Sequence, residues 1–340
     1  MYNHAFCTQA LIKNRPWSIG HQNSIISSSR DGKVNWYFTG NDESDFDYAL
    51  KKAEEDETLL DQVEKEVTSI SEATIERFKS VVWEDVSSIE LLTHYEYYYS
   101  RYHDIGMIPG FLRTVDRAAL YRLKNIFKGR NDVDGLISIV SASKKISAGR
   151  EEEMEMLKIA KHWNEKSVEE KEISIDYIFN RFAWITLGYS NEKAKTQEDY
   201  RQKIKELSLL EPATKLVVIE REVEEAERAF QELRNSLDED ERTVIDIANR
   251  AVYLKDFYKF SVNKMQYFAE PLFEAIGKVS GKSRDFLLDL TLFEMRDLLS
   301  GRELDLAQIE KRRENHVIMV CDGKEIVLTG NDAEQFEELY

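Results

Sequence analysis

Two apolar seams on adjacent stretches constrain this chain more than any other feature. Leu216, Ile219, Val223, Ala226, Phe230, Leu233 and Leu237 fall at alternating three- and four-residue steps, with charged residues between them. Ile247, Ala251, Leu254, Tyr258, Ser261, Met265, Phe268 and Leu272 repeat the pattern, and the acidic run Asp238–Glu241 separates the two. Such spacing puts one apolar stripe on each of two helices. A short polar link between seams of similar length predicts a long helical hairpin. Burying one large apolar side chain contributes roughly 1.5–3 kcal/mol, so the seam and not intrinsic propensity holds each helix.

The second helix has another face. Tyr253, Phe257, Phe260, Lys264 and Tyr267 recur at three to four residues. A helix apolar on two faces is sandwiched or lines a cavity. Lys255 and Lys259 lie four apart on one side, next to Asp256. Two like charges there repel unless an anion sits between them. These three are candidate contact residues; the plain alternative is a solvated lysine pair.

Downstream, Thr291 to Glu294 is a capping box that opens a new helix, and Gly301 closes it. A short helix carrying Leu306, Ile309, Arg312 and Arg313 follows. Then come two β-rich runs, His316–Cys321 and Lys324–Leu328, around an Asp322-Gly323 turn signal.

The runs "LTLFEMRDLLSG" (290–301) and "EKRRENHVIMVCDGKEIVLTGNDAEQF" (310–336) resemble the segment before the swivelling phosphohistidine domain of phosphoenolpyruvate-utilising enzymes, the phosphoenolpyruvate synthase-like and rifampicin phosphotransferase-like proteins. "VYLKDFYKFSVNKMQYFAEPLFEAIG" (252–277) and "SIDYIFNRFAWITLGYSNEKAKTQEDY" (174–200) are similar to helices of the same region. The likeness covers most of the chain from about Glu172 onward and the earlier part more loosely. The resemblance implies a helical acceptor-binding or linker region. In such enzymes an ATP-grasp domain binds nucleotide and the swivel domain carries the reactive His. Neither pattern occurs in this sequence, which stops roughly where the swivel domain begins in relatives. The expectation is therefore a chain with no catalytic residues of its own, no metal site and no cofactor. ATP and magnesium enter only with the missing domains, which are its expected partners, together with a small-molecule acceptor.

In the N-terminal half, Ser24–Ser27 and Lys33–Phe38 flank a Ser/Asp/Gly turn and predict a β-hairpin. Asp45 to about Lys79 reads as acidic helix with a break near Ser69–Ser71. The next helix is unusual. Ile89, Leu92, Tyr95, Tyr99 and Tyr102 share one side, with Tyr97 and Tyr98 beside them, so five tyrosines occupy eight residues. Each buried phenol needs a hydrogen-bond partner, which a polar core or a ligand would supply. Relatives hold an aromatic substrate in a helical lobe, which makes Tyr98, Tyr99, Arg101 and Tyr102 the candidate substrate-binding residues. Arg101 would offer a fork of donors to a carboxylate or phosphate; the alternative is a tyrosine-lined core with Arg101 at the surface. His103-Asp104 is the kind of pair that metal-dependent hydrolases use. It lacks supporting His residues at suggestive spacing, and helix termination before Gly106 and Pro109-Gly110 is simpler.

The fold class that follows is mainly α: a multi-helix bundle with the long helical hairpin, an N-terminal and a C-terminal β-hairpin. Two lobes are expected, 1–165 and 166–340, with a soft boundary near Glu165–Ile173. Charge narrows the partners. A net charge of −17 opposes general nucleic-acid binding, which needs a basic surface, and opposes an anionic membrane surface. No run of about 18 apolar residues exists for a transmembrane helix, and no signal peptide is read. Cys7 and Cys321 are expected as reduced thiols in a cytoplasmic protein. A stand-alone helical scaffold for protein partners is the competing reading.

Overall fold

The computed structural model describes residues 24–30, 33–39, 42–106, 108–142, 145–187, 193–321 and 324–339. The chain is mainly helical with a small antiparallel sheet, as the periodicities predict. Strands β1 (Ser24–Arg30) and β2 (Lys33–Thr39) precede helices α1 (Asp42–Glu55), α2 (Leu59–Lys79), α3 (Ser88–Ile105) and α4 (Ile108–Ile126). Next come α5 (Val133–Ser141), α6 (Ala148–Lys161), α7 (Val168–Phe182), α8 (Gln197–Ser208), α9 (Pro212–Asn235) and α10 (Glu239–Ser280). The C-terminal part adds α11 (Arg284–Leu288), α12 (Leu292–Leu299), α13 (Leu306–Glu314), β3 (Asn315–Cys321), β4 (Lys324–Thr329) and α14 (Asn331–Leu339).

Contacts divide the chain into two compact units. The first holds residues 1–51, 65–111 and 268–340, the second 52–64 and 112–267. The dividing points fall inside α1, α2, α4 and α10. Residues 165–173, where sequence places a soft boundary, lie within the second unit.

In the first unit the strands pair antiparallel in the order β2-β1-β3-β4. The turn residues 31–32 and 322–323 lie outside the described residues. Val317 of β3 and Ala333 of α14 are fully buried, and Leu328 and Phe336 pack on them. In the second unit, Met156, Leu157, Trp163, Ile178, Phe182, Trp184, Tyr200 and Ile204 form one core cluster.

The seam of α9 has its predicted side inward: Ile219, Phe230, Leu233 and the following Leu237 are buried. In α10, Ile247, Ala251, Leu254, Tyr258, Met265 and Leu272 are buried, and the second face from Tyr253 to Tyr267 is half-buried. Arg234 reaches across the turn between the two helices to Asp246 at 2.9 Å.

One local expectation needs correction. No break occurs at Ser69–Ser71, because Ser71 and Thr74 donate their hydroxyls to Thr68 and Ile70 carbonyls of the same helix. The break is at Asp56, whose carboxylate takes the Thr58 N–H at 2.9 Å. Within the stretch 165–173, Ser167 and Glu170 form a capping box that starts α7. Helix α3 ends at Ile105, ahead of Gly106 and Pro109 as expected, and Pro109 itself stands in the first turn of α4, where a missing N–H costs nothing.

Candidate functional site

Helix α3 starts at a capping box in which Glu90 accepts from the Ser87 N–H at 2.9 Å. Its buried side is rotated from the sequence reading. Ile89 is 80% exposed, while Leu91, Tyr95, Tyr98, Tyr99 and Tyr102 are buried. The aromatic rings of Tyr95 and Tyr98 meet Phe273 edge-on, with centroids 6.2 and 6.1 Å apart. Tyr98 and Tyr102 are 6.3 Å apart. The candidate tyrosines are thus packed side chains of the first unit, with Tyr98 edge-to-face on Phe273 in the arrangement aromatic quadrupoles favour. Arg101 is half-exposed; it pairs with Asp104 at 3.0 Å, and its Nε is buried with no hydrogen-bond partner. His103 stacks on Tyr99 at 6.3 Å. Among the described residues, no group of three or more His, Cys, Asp or Glu is placed to hold a metal ion.

The second set of candidates belongs to the second unit. Lys255 Nζ binds Asp116 Oδ2 at 2.6 Å, so a carboxylate of α4 answers the like-charge problem that Lys255 and Lys259 raise. Asp256 and Lys259 are exposed. One turn earlier, Glu64 accepts from Arg250, from Tyr253 at 2.9 Å and from Lys145 at 3.2 Å. Burial, reinforced by the Glu64 carboxylate, pushes the Tyr253 hydroxyl up to about 12, so it stays a proton donor.

Sequence reasoning missed a buried charge cluster in the same unit. Glu152 is 5% exposed. It accepts both carboxylate hydrogen bonds from Lys195, at 2.7 and 2.8 Å, and one from the Tyr200 hydroxyl at 2.5 Å. Burial, then Glu152, raises the Tyr200 hydroxyl far above its ordinary value. The Lys195 backbone N–H also holds the Ala183 carbonyl, and Thr186 holds the Lys193 carbonyl. The cluster therefore fastens the entry of α8 onto α6 and the Trp184 turn. Its sequence signal is an acid on an apolar stripe: Glu152 shares one side of α6 with Met156, Ala160 and Trp163.

A second such cluster lies in the first unit. The Thr291 capping box orients Glu294, which takes Arg312 Nη2 at 2.7 Å. The same guanidinium donates to the Asp289 carbonyl at 3.0 Å, and Arg313 pairs with the Asp289 carboxylate at 2.7 Å. Burial alone would raise the Glu294 carboxyl, but the Arg312 contact and the Thr291 N–H outweigh it and hold it low. Asp289 is raised, by burial above all. Comparison with protein-family models, with curated proteins and with solved structures returned no match.

Proposed function

We propose that this chain is the helical substrate-binding and linker region of a phosphoenolpyruvate-utilising phosphotransferase, inactive without ATP-grasp and phosphohistidine domains. One observation carries the reading. The two runs that bear the sequence resemblance, 290–301 and 310–336, are joined through Arg312 on Glu294, and Arg313 pairs with Asp289 just before the first run. The capped helix α12 in turn packs on the tyrosine helix α3, with Arg296 bound to Glu96 at 2.6 Å. This packing of the motif-bearing helix on the helix of the candidate tyrosines supports the reading. In this reading Arg101 offers its donors to a small-molecule acceptor, with Tyr98, Tyr99 and Tyr102 as backing. Lys255, Asp256 and Lys259 meet a partner domain. ATP and magnesium are bound by the partner domains.

The test is reconstitution. The purified chain alone should neither hydrolyse ATP nor form phosphoenolpyruvate. Supplied with ATP-grasp and phosphohistidine domains encoded beside it, it should pass label from radioactive ATP to a small acceptor. Phosphoryl transfer by the chain alone, or transfer by the other domains equally fast without it, overturns the proposal.

A helical scaffold for protein partners is the second reading. It is favoured by Leu209, Leu210 and Val217, which stand 74%, 51% and 62% exposed around the junction of α8 and α9. Large exposed apolar groups in one place mark interaction surfaces.

A further inference from the structure

In the first unit, the end of α2, the 3-10 turn Trp83–Asp85 and α3 bring four aromatic rings together. Phe78 is buried; Trp83, His94 and Tyr97 around it are half-exposed. Ring centroids lie 5.8 Å apart for Phe78 and Trp83, 6.3 Å for Phe78 and Tyr97, and 5.3 Å for Trp83 and His94. Two guanidiniums are centred on this aromatic floor. Arg77 is 4.1 Å from the Tyr97 centroid and Arg101 is 5.6 Å from the same ring. Arg77 Nε donates to His94 Nδ1 at 3.5 Å, which makes that nitrogen the acceptor and leaves Nε2 of the ring protonated.

The charge balance here is anomalous. The chain carries 64 Asp and Glu against 47 Lys and Arg, so an arginine near the surface has carboxylates in excess to choose from. Arg77 pairs with none among the described residues. The acids on α3 are engaged elsewhere: Glu90 closes the capping box, Glu96 holds Arg296, and Asp104 holds Arg101. Arg101 Nε remains buried without a partner. Burial first, and then the Arg77 charge from α2, lower the pKa of His94, while Glu90 on its own helix opposes them. Lys79 adds a further positive charge from the same turn of α2, 4.5 Å from the Phe268 ring.

We propose that Arg77, His94 and Arg101 bind an oxyanion, a phosphate or carboxylate group, carried on a planar aromatic body that lies against Trp83. A guanidinium fork matches either oxyanion with parallel N–H donors. The low-polarity floor of Phe78 and Tyr97 strengthens that attraction relative to open water. The aromatic body gains stacking contact with the indole. The site shares Arg101 with the phosphotransferase reading but does not rest on it: binding is measured on the chain alone, where that reading expects no catalysis.

The test uses the full chain with four probes: phenyl phosphate, benzoate, inorganic phosphate and phenol. Binding is followed by calorimetry, and the His94 ring by proton NMR. Phenyl phosphate or benzoate should bind saturably, and whichever binds tighter assigns the oxyanion. An anion beside His94 offsets the Arg77 charge, so the His94 pKa should rise on binding. Arg77→Met should weaken binding at least tenfold, with Arg77→Lys between it and the parent. Trp83→Leu should erase the preference for phenyl phosphate over inorganic phosphate. Phenol binding as tightly as phenyl phosphate, Arg77→Met binding unchanged, or a His94 titration indifferent to every probe overturns the site.

Discussion

Replacing Lys195 with Met removes the ammonium from Glu152 and little else, because Met keeps most of the stem. Glu152 is left with one hydroxyl, from Tyr200, in a site where its side chain is 7% exposed and that of Lys195 26%. Breaking a buried pair by removing one partner costs about 3–5 kcal/mol. The partial access of water at Lys195 places the expectation near the lower end, about 3 kcal/mol. At 1.4 kcal/mol per decade that is about a hundredfold loss of amide-exchange protection. Hydrogen exchange resolved on α6 and α8 reads this within the second unit without assuming that the whole chain unfolds in one step. Glu152→Gln/Lys195→Met removes both charges, and should be more stable than Lys195→Met alone by roughly 1.5 kcal/mol or more. If Lys195→Met exchanges like the parent, or the double variant does no better than Lys195→Met, the pair does not anchor α8.

Three further outcomes are expected. Arg312→Met strands the Glu294 carboxylate and should destabilise α12 and α13 by about 3 kcal/mol, read as lost exchange protection there. His316 is held below its ordinary pKa by burial, against a hydrogen bond to the Arg312 carbonyl that favours the charged ring; the Arg312 guanidinium also lowers it and Glu337 of α14 raises it. The neutral ring is favoured in the fold, so its stabilisation is complete above about pH 6.5 and is lost as pH falls through the lowered value; protection of β3 should drop over that window, and His316→Gln should flatten the drop. Thr291→Ala removes one side of the α12 capping box and should cost about 1 kcal/mol by thermal or urea unfolding.

Periodicity carried the helices because a seam such as Ile219, Phe230 and Leu233 states its own buried side. The α3 side was read only in part: Tyr95, Tyr99 and Tyr102 are buried as expected, but Tyr98 beside them is buried too and Ile89, though apolar, is 80% exposed. Ser69–Ser71 looked like a break because serine favours turns, but a hydroxyl bonded to its own helix carbonyl is compatible with continuing. The charged clusters were least legible. Lys195 and Glu152 are 43 residues apart, and nothing local says that a lysine in a polar loop will meet an acid on an apolar stripe. The anomaly at Arg77 is invisible in sequence for the converse reason: acids abound in the chain, and only the structure shows those on the facing helix α3 spent on Ser87, Arg101 and Arg296.

The tie between Arg312 and Glu294 also bears on how the molecule responds to a protease. Gly301, Arg302 and Glu303 are exposed between α12 and α13, and Arg302 pairs, among the described residues, only with the nearby Asp297, at 2.9 Å. Trypsin therefore has an open site there, in the kind of exposed segment where nicking concentrates. The nick severs the peptide but none of the bonds from Arg312 to Glu294 and the Asp289 carbonyl, nor that from Arg313 to Asp289. The C-terminal fragment stays docked as a non-covalent complement, since a buried ion pair is poorly screened by salt. A cut chain would thus keep its native elution volume and reveal its two pieces only on a denaturing gel.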